Sequence, residues 1–156
     1  MTLIYLAGAV DAVSTADAHD WRIKAQNDLG KLSVAAYSPP AAFSVPESFD
    51  DADAMARIID INNGALRFSH AVLANLSGHS FGTPVEVWAA LFDHKLPVFS
   101  WGISKRSIYR DLIRADGSYE EALANLKVWI AQRVPVDAPL APAFAAPEDA
   151  VPSPNE

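Results

Sequence analysis

The apolar positions of the chain fall into short continuous runs separated by longer stretches with helical spacing. Thr2 to Ala9 is almost wholly apolar, as expected of a strand covered on both faces. Ser14 to Asp17 supplies N-cap candidates for a helix running through Trp21, Ala25 and Leu29, with Gly30 at its end. Ser33 to Tyr37 predicts a short second strand, halted by Ser38-Pro39-Pro40. Ala41 to Phe49 reads as a loop containing Pro46. Asp50, Asp51 and Asp53 then place negative charge where a helix N-terminus is stabilised by it, and that helix continues through Met55, Ile58, Ile59 and Leu66. His70 to Leu76 predicts strand three, Pro84 to His94 the next helix, and Pro97 to Trp101 strand four. Residues 118 to 132 predict a last amphipathic helix carrying Leu123, Leu126, Val128 and Ile130.

Strands alternating with helices indicate a parallel sheet with right-handed crossovers. The expected fold is α/β: a three-layer α/β/α domain with four or five mostly parallel strands, Rossmann-like or flavodoxin-like, over residues 1 to 134. There is no internal repeat. From Pro135 the composition changes. Residues 135 to 156 hold most of the prolines and no glycine, which predicts an extended or disordered tail. Alternatively the tail wraps a neighbouring subunit, with Phe144 as its anchor.

Composition narrows the function classes. With 156 residues, 51% of them hydrophobic, the chain can bury a sizeable core, and no run reaches the length of a membrane span. Its first residues lack the basic start of a signal peptide and read as a strand. The absence of cysteine removes disulfides and thiolate metal sites and is compatible with the expected cytoplasmic location. A net charge of −7 argues against nucleic-acid polymers as partners. Small anions remain possible, because a local nest of backbone N–H groups can hold a phosphate on an acidic protein. The sequence contains no GxGxxG, Walker A loop, HExxH or GxSxG motif. Histidines 19, 70, 79 and 94 lack ligand spacing, so no metal site is expected.

Thr83-Pro84-Val85-Glu86 is the most informative segment. Alone it is a helix-start signature, with threonine at N-cap, proline at N1 and Glu86 folding back onto the Thr83 N–H as a capping box. Glu86 also lies just past the carboxyl end of strand three, the edge at which open α/β sheets bind ligands. It is therefore either a cap or a reactive carboxylate.

Four segments in order carry a resemblance: Ile4-Tyr5-Leu6-Ala7-Gly8-Ala9, Tyr37-Ser38-Pro39-Pro40, Ser80-Phe81-Gly82-Thr83-Pro84-Val85-Glu86, and Lys95-Leu96-Pro97-Val98. Together they resemble the nucleoside 2-deoxyribosyltransferase family and its nucleotide N-hydrolase (deoxynucleoside 5′-monophosphate N-glycosidase) relatives. The likeness covers about residues 3 to 101, some two-thirds of the chain.

The resemblance implies that Glu86 is the nucleophile. It would attack the anomeric carbon, expel the base and form a glycosyl-enzyme ester, which water (hydrolase) or a second base (transferase) then resolves with retention. A carboxylate suits that oxocarbenium-like transition state. Substrate contacts would come from Ser80, Gly82 and Thr83, with the Ser80 hydroxyl suited to a 5′-phosphate. Gly8, Tyr5 and Asp11, near the end of strand one, would touch sugar or base; equally, Gly8 makes the turn and Tyr5 is core. The family carries an aspartate on the helix before strand three. By spacing Asn62 falls in that place, and Asp60 does so only if the helix is shifted or bulged. With Asn62 there, the alternative is a catalytically weak nucleotide-binding module. Ser104, Lys105 and Arg106 form a candidate phosphate clamp, or an ordinary solvated loop. Trp21 and Arg22 occur early in the first helix, as in many relatives, with Trp21 expected in the core. Trp88 and Phe92 predict core or a dimer face. The family implies no metal or organic cofactor, a small nucleoside or nucleotide as partner, and a homodimer or higher homo-oligomer.

Overall fold

A computed structural model describes residues 1–10, 14–42, 52–103 and 113–133. The expectations for Asp11, Ser104, Lys105, Arg106 and the tail lie outside the described residues. Five parallel strands form one sheet: β1 (Leu3–Gly8), β2 (Ala35–Tyr37), β3 (Ala71–Asn75), β4 (Val98–Trp101) and β5 (Ala115–Asp116), in the order β2-β1-β3-β4-β5. The helices are α1 (Thr15–Gly30), α2 (Pro39–Ala42), α3 (Ala52–Phe68), α4 (Gly82–Trp88) and α5 (Tyr119–Ala131), and α4 continues as a π-helical turn over Ala89–Asp93.

Strand alternation sorts the core into two layers. Ile4, Leu6, Ala71, Leu73 and Phe99 face one side, where α1 supplies Ala25 and Leu29 and α5 supplies Leu123, Leu126, Trp129 and Ile130. Tyr5, Ala7, Val72, Ala74 and Val98 face the other, against Leu66 of α3 and Val87 and Ala90 from α4 and its continuation. This two-sided burial explains why the strands read as continuous apolar runs. The architecture is the three-layer α/β/α arrangement expected from the sequence. Among the described residues no helix is long and apolar enough to cross a membrane.

Several local expectations are corrected. Pro39–Ala42 is a short helix, because proline is tolerated in the first turn, where its missing N–H leaves no bond unmade. Helix α4 begins at Gly82, two residues before the predicted start. In α5 the inward position belongs to Trp129, while Val128 is exposed. Gly102 ends β4 with φ +84°, and a Cβ there would lie 2.5 Å from the Ser77 backbone nitrogen. Only glycine satisfies both conditions at this crossing of the β3 and β4 exits.

Leu126 is fully buried between α5 and the sheet. Leu126→Ala is expected to cost about 3 kcal/mol in urea unfolding, and Val128→Ala less than about 0.5 kcal/mol. Similar costs for the two would overturn the placement of α5.

Candidate active site

Strand order places β1 between β2 and β3, so the chain leaves β1 toward one face through α1 and returns across the other through α3. Loops diverge at such a switch point and open a crevice at the carboxyl edge. The candidate site is built there.

Tyr5 and Tyr37 are register partners on β1 and β2, and their rings stack with centroids 5.4 Å apart. The Tyr5 hydroxyl donates to Glu86 Oε1 at 2.7 Å. Asn62 Nδ2 on α3 donates to the same oxygen at 3.3 Å, and the Tyr37 hydroxyl donates to Asn62 Oδ1 at 3.4 Å. The Tyr37 bond takes the carbonyl end of the amide and leaves the NH₂ for Glu86. Oε2 accepts no hydrogen bond among the described residues, so one oxygen is anchored and the other is available.

Glu86 is half-buried. Burial disfavours its charged form and lifts the carboxyl from 4.5 to about 7, against the opposing effects of the Tyr5 hydrogen bond and the Arg22 charge. The Tyr5 and Tyr37 hydroxyls are pushed up, first by burial and then by the neighbouring carboxylate. Both stay protonated donors at neutral pH.

The structure also decides between the sequence alternatives. Glu86 does not close a capping box. Thr83 lies inside α4, whose N-cap is Phe81 without a side-chain bond, and the Thr83 N–H points to Ser80 Oγ at 3.4 Å. Glu86 turns instead to Tyr5 and Asn62. Thr83 is buried, and its Oγ1 has no partner among the described residues. Asn62 meets Glu86, whereas Asp60 is exposed elsewhere on α3. Tyr5 is fully buried and is spent on the carboxylate. At Gly8 the space that a side chain would take is filled from within the fold. A Cβ there would lie 2.7 Å from Trp21 Cζ2 and 3.3 Å from both Arg22 Nη2 and Asn75 Cβ. Gly82 is exposed, and only Ser80 Oγ would come within 4 Å of an added Cβ, at 3.8 Å.

A depression of about 410 Å³ lies along α4, lined by Ser80, Thr83, Val87, Trp88, Leu91 and Ile103 among others, with Glu86 outside its lining. Ser80 and Thr83 therefore face this apolar pocket, while Glu86 faces α3. Among the described residues no group of three or more His, Asp or Glu side chains is placed to hold a metal ion.

Two residues of the cluster had no role in the sequence reading. Tyr37 was read only as part of a motif. Arg22 carried a legible signal: it occupies the stripe Ala18, Arg22, Ala25, Leu29 that α1 buries, the one charged residue in that set.

The raised Glu86 carboxyl has a stability consequence. The folded chain binds this proton more tightly than the unfolded chain does. The stabilisation is complete below about pH 4.5 and is lost as pH rises through about 7. Glu86→Gln is therefore expected to be more stable than wild type at pH 8.5, by on the order of 2 kcal/mol, with the difference vanishing near pH 4.5. A pH-independent difference in thermal melts would contradict a buried titrating carboxylate.

No family model and no curated protein sequence matches the chain. Solved structures do. One is a 2-deoxyribosyltransferase from the psychrotolerant bacterium Bacillus psychrosaccharolyticus, at TM-score 0.59 and 14% identity, covering 77% of this chain and 89% of that one. Another is the CMP N-glycosidase BcmB from Clostridium botulinum, at TM-score 0.51 and 11% identity, covering 82% of this chain and 99% of that one. The five-stranded parallel sheet with Glu86 at its carboxyl edge thus has the fold of a 2-deoxyribosyltransferase and of a CMP N-glycosidase.

Proposed function

We propose that the chain is an enzyme that breaks the N-glycosidic bond of a nucleoside or its 5′-monophosphate through Glu86. One observation supports this above the rest: a carboxylate half-buried at the switch point, held by Tyr5 and Asn62 through one oxygen, with the other oxygen unbonded among the described residues. The unbonded oxygen attacks the anomeric carbon as the bond to the base breaks, and the base leaves with the electron pair. The product is a sugar ester on Glu86. Water or a second base, its proton passing to the expelled base, then attacks the same carbon from the vacated face. The configuration is retained and the carboxylate is freed. Tyr5 and Asn62 keep Glu86 aimed while its charge is consumed and restored. Ser80, just ahead of α4 and beside the exposed Gly82, is the proposed phosphate contact, whereas Thr83 is buried inside the helix.

A second reading is a nucleotide-binding module with weak turnover, and Asn62 favours it. An amide opposite Glu86 can hold the carboxylate but cannot protonate a departing base.

The test is chromatographic detection of free base from a panel of nucleosides and 5′-monophosphates, with and without an acceptor base. Base release is expected in wild type and is expected to fall by at least about 10³-fold in Glu86→Gln with binding retained. Release from monophosphates that is weakened in Ser80→Ala would support the phosphate assignment. A new nucleoside formed only with acceptor would mean transfer. Binding without release in wild type would leave the module reading standing.

The same proposal includes a homodimer. Val85, Trp88 and Phe92 form an exposed apolar stripe along α4 and its continuation, with the Trp88 and Phe92 rings 4.0 Å apart. Sedimentation is expected to show a dimer in wild type and a monomer in Trp88→Asp. A monomeric wild type would end this part of the proposal.

A further inference from the structure

We propose that Arg22 is a positioning residue for Glu86: its buried guanidinium ties down the exit of β1, the strand whose Tyr5 hydroxyl holds the carboxylate, and supplies positive charge to that site. The proposal rests on the reading of Glu86 as the nucleophile.

Arg22 is 1% exposed, in the middle of the buried stripe of α1. Its Nη2 donates to the Gly8 carbonyl at 2.6 Å, and Nη1 donates to the carbonyls of Ala18 and, at 3.4 Å, Ala9. Gly8 and Ala9 are where β1 ends, three residues beyond Tyr5, so the fork fixes the strand that carries the Tyr5 hydroxyl to Glu86. Missing Cβ bulk at Gly8 is what lets Trp21 and the guanidinium approach. The Trp21 ring lies 4.6 Å from the guanidinium carbon.

These contacts do not account for a full charge at this depth. No carboxylate lies within ion-pair distance of Arg22 among the described residues, and its Nε is buried without a partner. A buried charge held only by neutral carbonyls is costly, and an apolar side chain would pack α1 more cheaply. The charge is compensated at longer range. Among the described residues, the groups facing Glu86 are Tyr5 from β1, Asn62 from α3 with Tyr37 of β2 behind it, and Arg22 from α1, and of these Arg22 is the cation. The coupling is mutual: Arg22 draws the Glu86 carboxyl down, while Glu86 holds the guanidinium up against the burial that lowers it to about 10. At that value Arg22 keeps its proton at neutral pH. Removing its charge should make Glu86 harder to ionise, and hence a poorer nucleophile, without disturbing a group that touches substrate.

The experiment uses the full chain labelled with ¹³C at the glutamate carboxyls, the Glu86 signal being assigned by its loss in Glu86→Gln. Arg22→Gln keeps donors for the carbonyls and removes the charge, whereas Arg22→Lys keeps the charge and loses the planar fork. In wild type the Glu86 titration is expected near 7. In Arg22→Gln its midpoint is expected to rise by roughly one pH unit, and in Arg22→Lys to stay in place. Base release by Arg22→Gln should fall about tenfold at pH 6.5 and recover toward pH 9, a pH profile that loss of packing alone would not produce. An unmoved midpoint in folded Arg22→Gln overturns the proposal. If Arg22→Gln does not fold, the charge-keeping variant decides, since a raised midpoint in Arg22→Lys overturns it as well. The titration needs no substrate. Absence of base release in wild type would overturn the nucleophile reading, whereas release through Glu86 with an unmoved midpoint would overturn only the role of Arg22.

Discussion

A carboxylate taken partly out of water is unstable in its charged form unless its surroundings replace the lost hydration. Glu86 is in that position, and much of the polar structure at the carboxyl edge of the sheet answers to it. Tyr5 and Asn62 share one of its oxygens, Tyr37 turns the Asn62 amide, and the Arg22 charge opposes the effect of burial. Each of these residues interrupts a surface that would otherwise be apolar: the inner face of β1, the inner face of α3, the buried stripe of α1. Burial still wins by a margin that leaves the carboxyl near neutrality. A group so placed can lose its charge on forming an ester and regain it on release, with little reorganisation of the dipoles around it.

The topology makes this convergence possible. Tyr5 and Tyr37 are neighbours because β2 pairs with β1, and Asn75 and Gly8 are neighbours because β3 pairs on the other side. The crossover through α3 brings Asn62 over the face that Tyr5 presents, while α1 brings Arg22 from the opposite face to the end of the same strand. The crevice is therefore assembled from both layers of the core. No stretch of contiguous sequence contains it.

Capping boxes illustrate how far local signals reach. Among the described residues, the pattern of a hydroxyl residue followed three positions later by glutamate occurs at Thr83–Glu86 and at Ser118–Glu121. At α5 the box forms in full: Ser118 Oγ accepts from the Glu121 N–H, and Glu121 accepts from Ser118. At α4 it does not form. Glu121 is exposed and bonds the backbone N–H groups of Gly117 and Ser118, whereas Glu86 has Tyr5, a phenol at 2.7 Å, within reach. The better acid wins the carboxylate, and Phe81, the N-cap of α4, makes no side-chain bond to the helix start.

The sequence by itself determined the elements and their class. Runs of apolar residues two faces deep, broken by helical spacing, leave little choice but a parallel sheet between helix layers, because no other arrangement covers both faces of such strands. It also singled out Glu86 by its place after strand three. Spacing favoured Asn62 over Asp60, but local pattern had no means of excluding a shifted helix, of showing that Thr83 sits inside its helix, or of explaining a cation in the stripe of α1. Those outcomes depend on which groups meet across 13 to 81 residues of intervening chain. Only when the tertiary structure packs β1, β2, α1, α3 and α4 around one carboxylate does the balance of desolvation, hydrogen bonds and charge become defined.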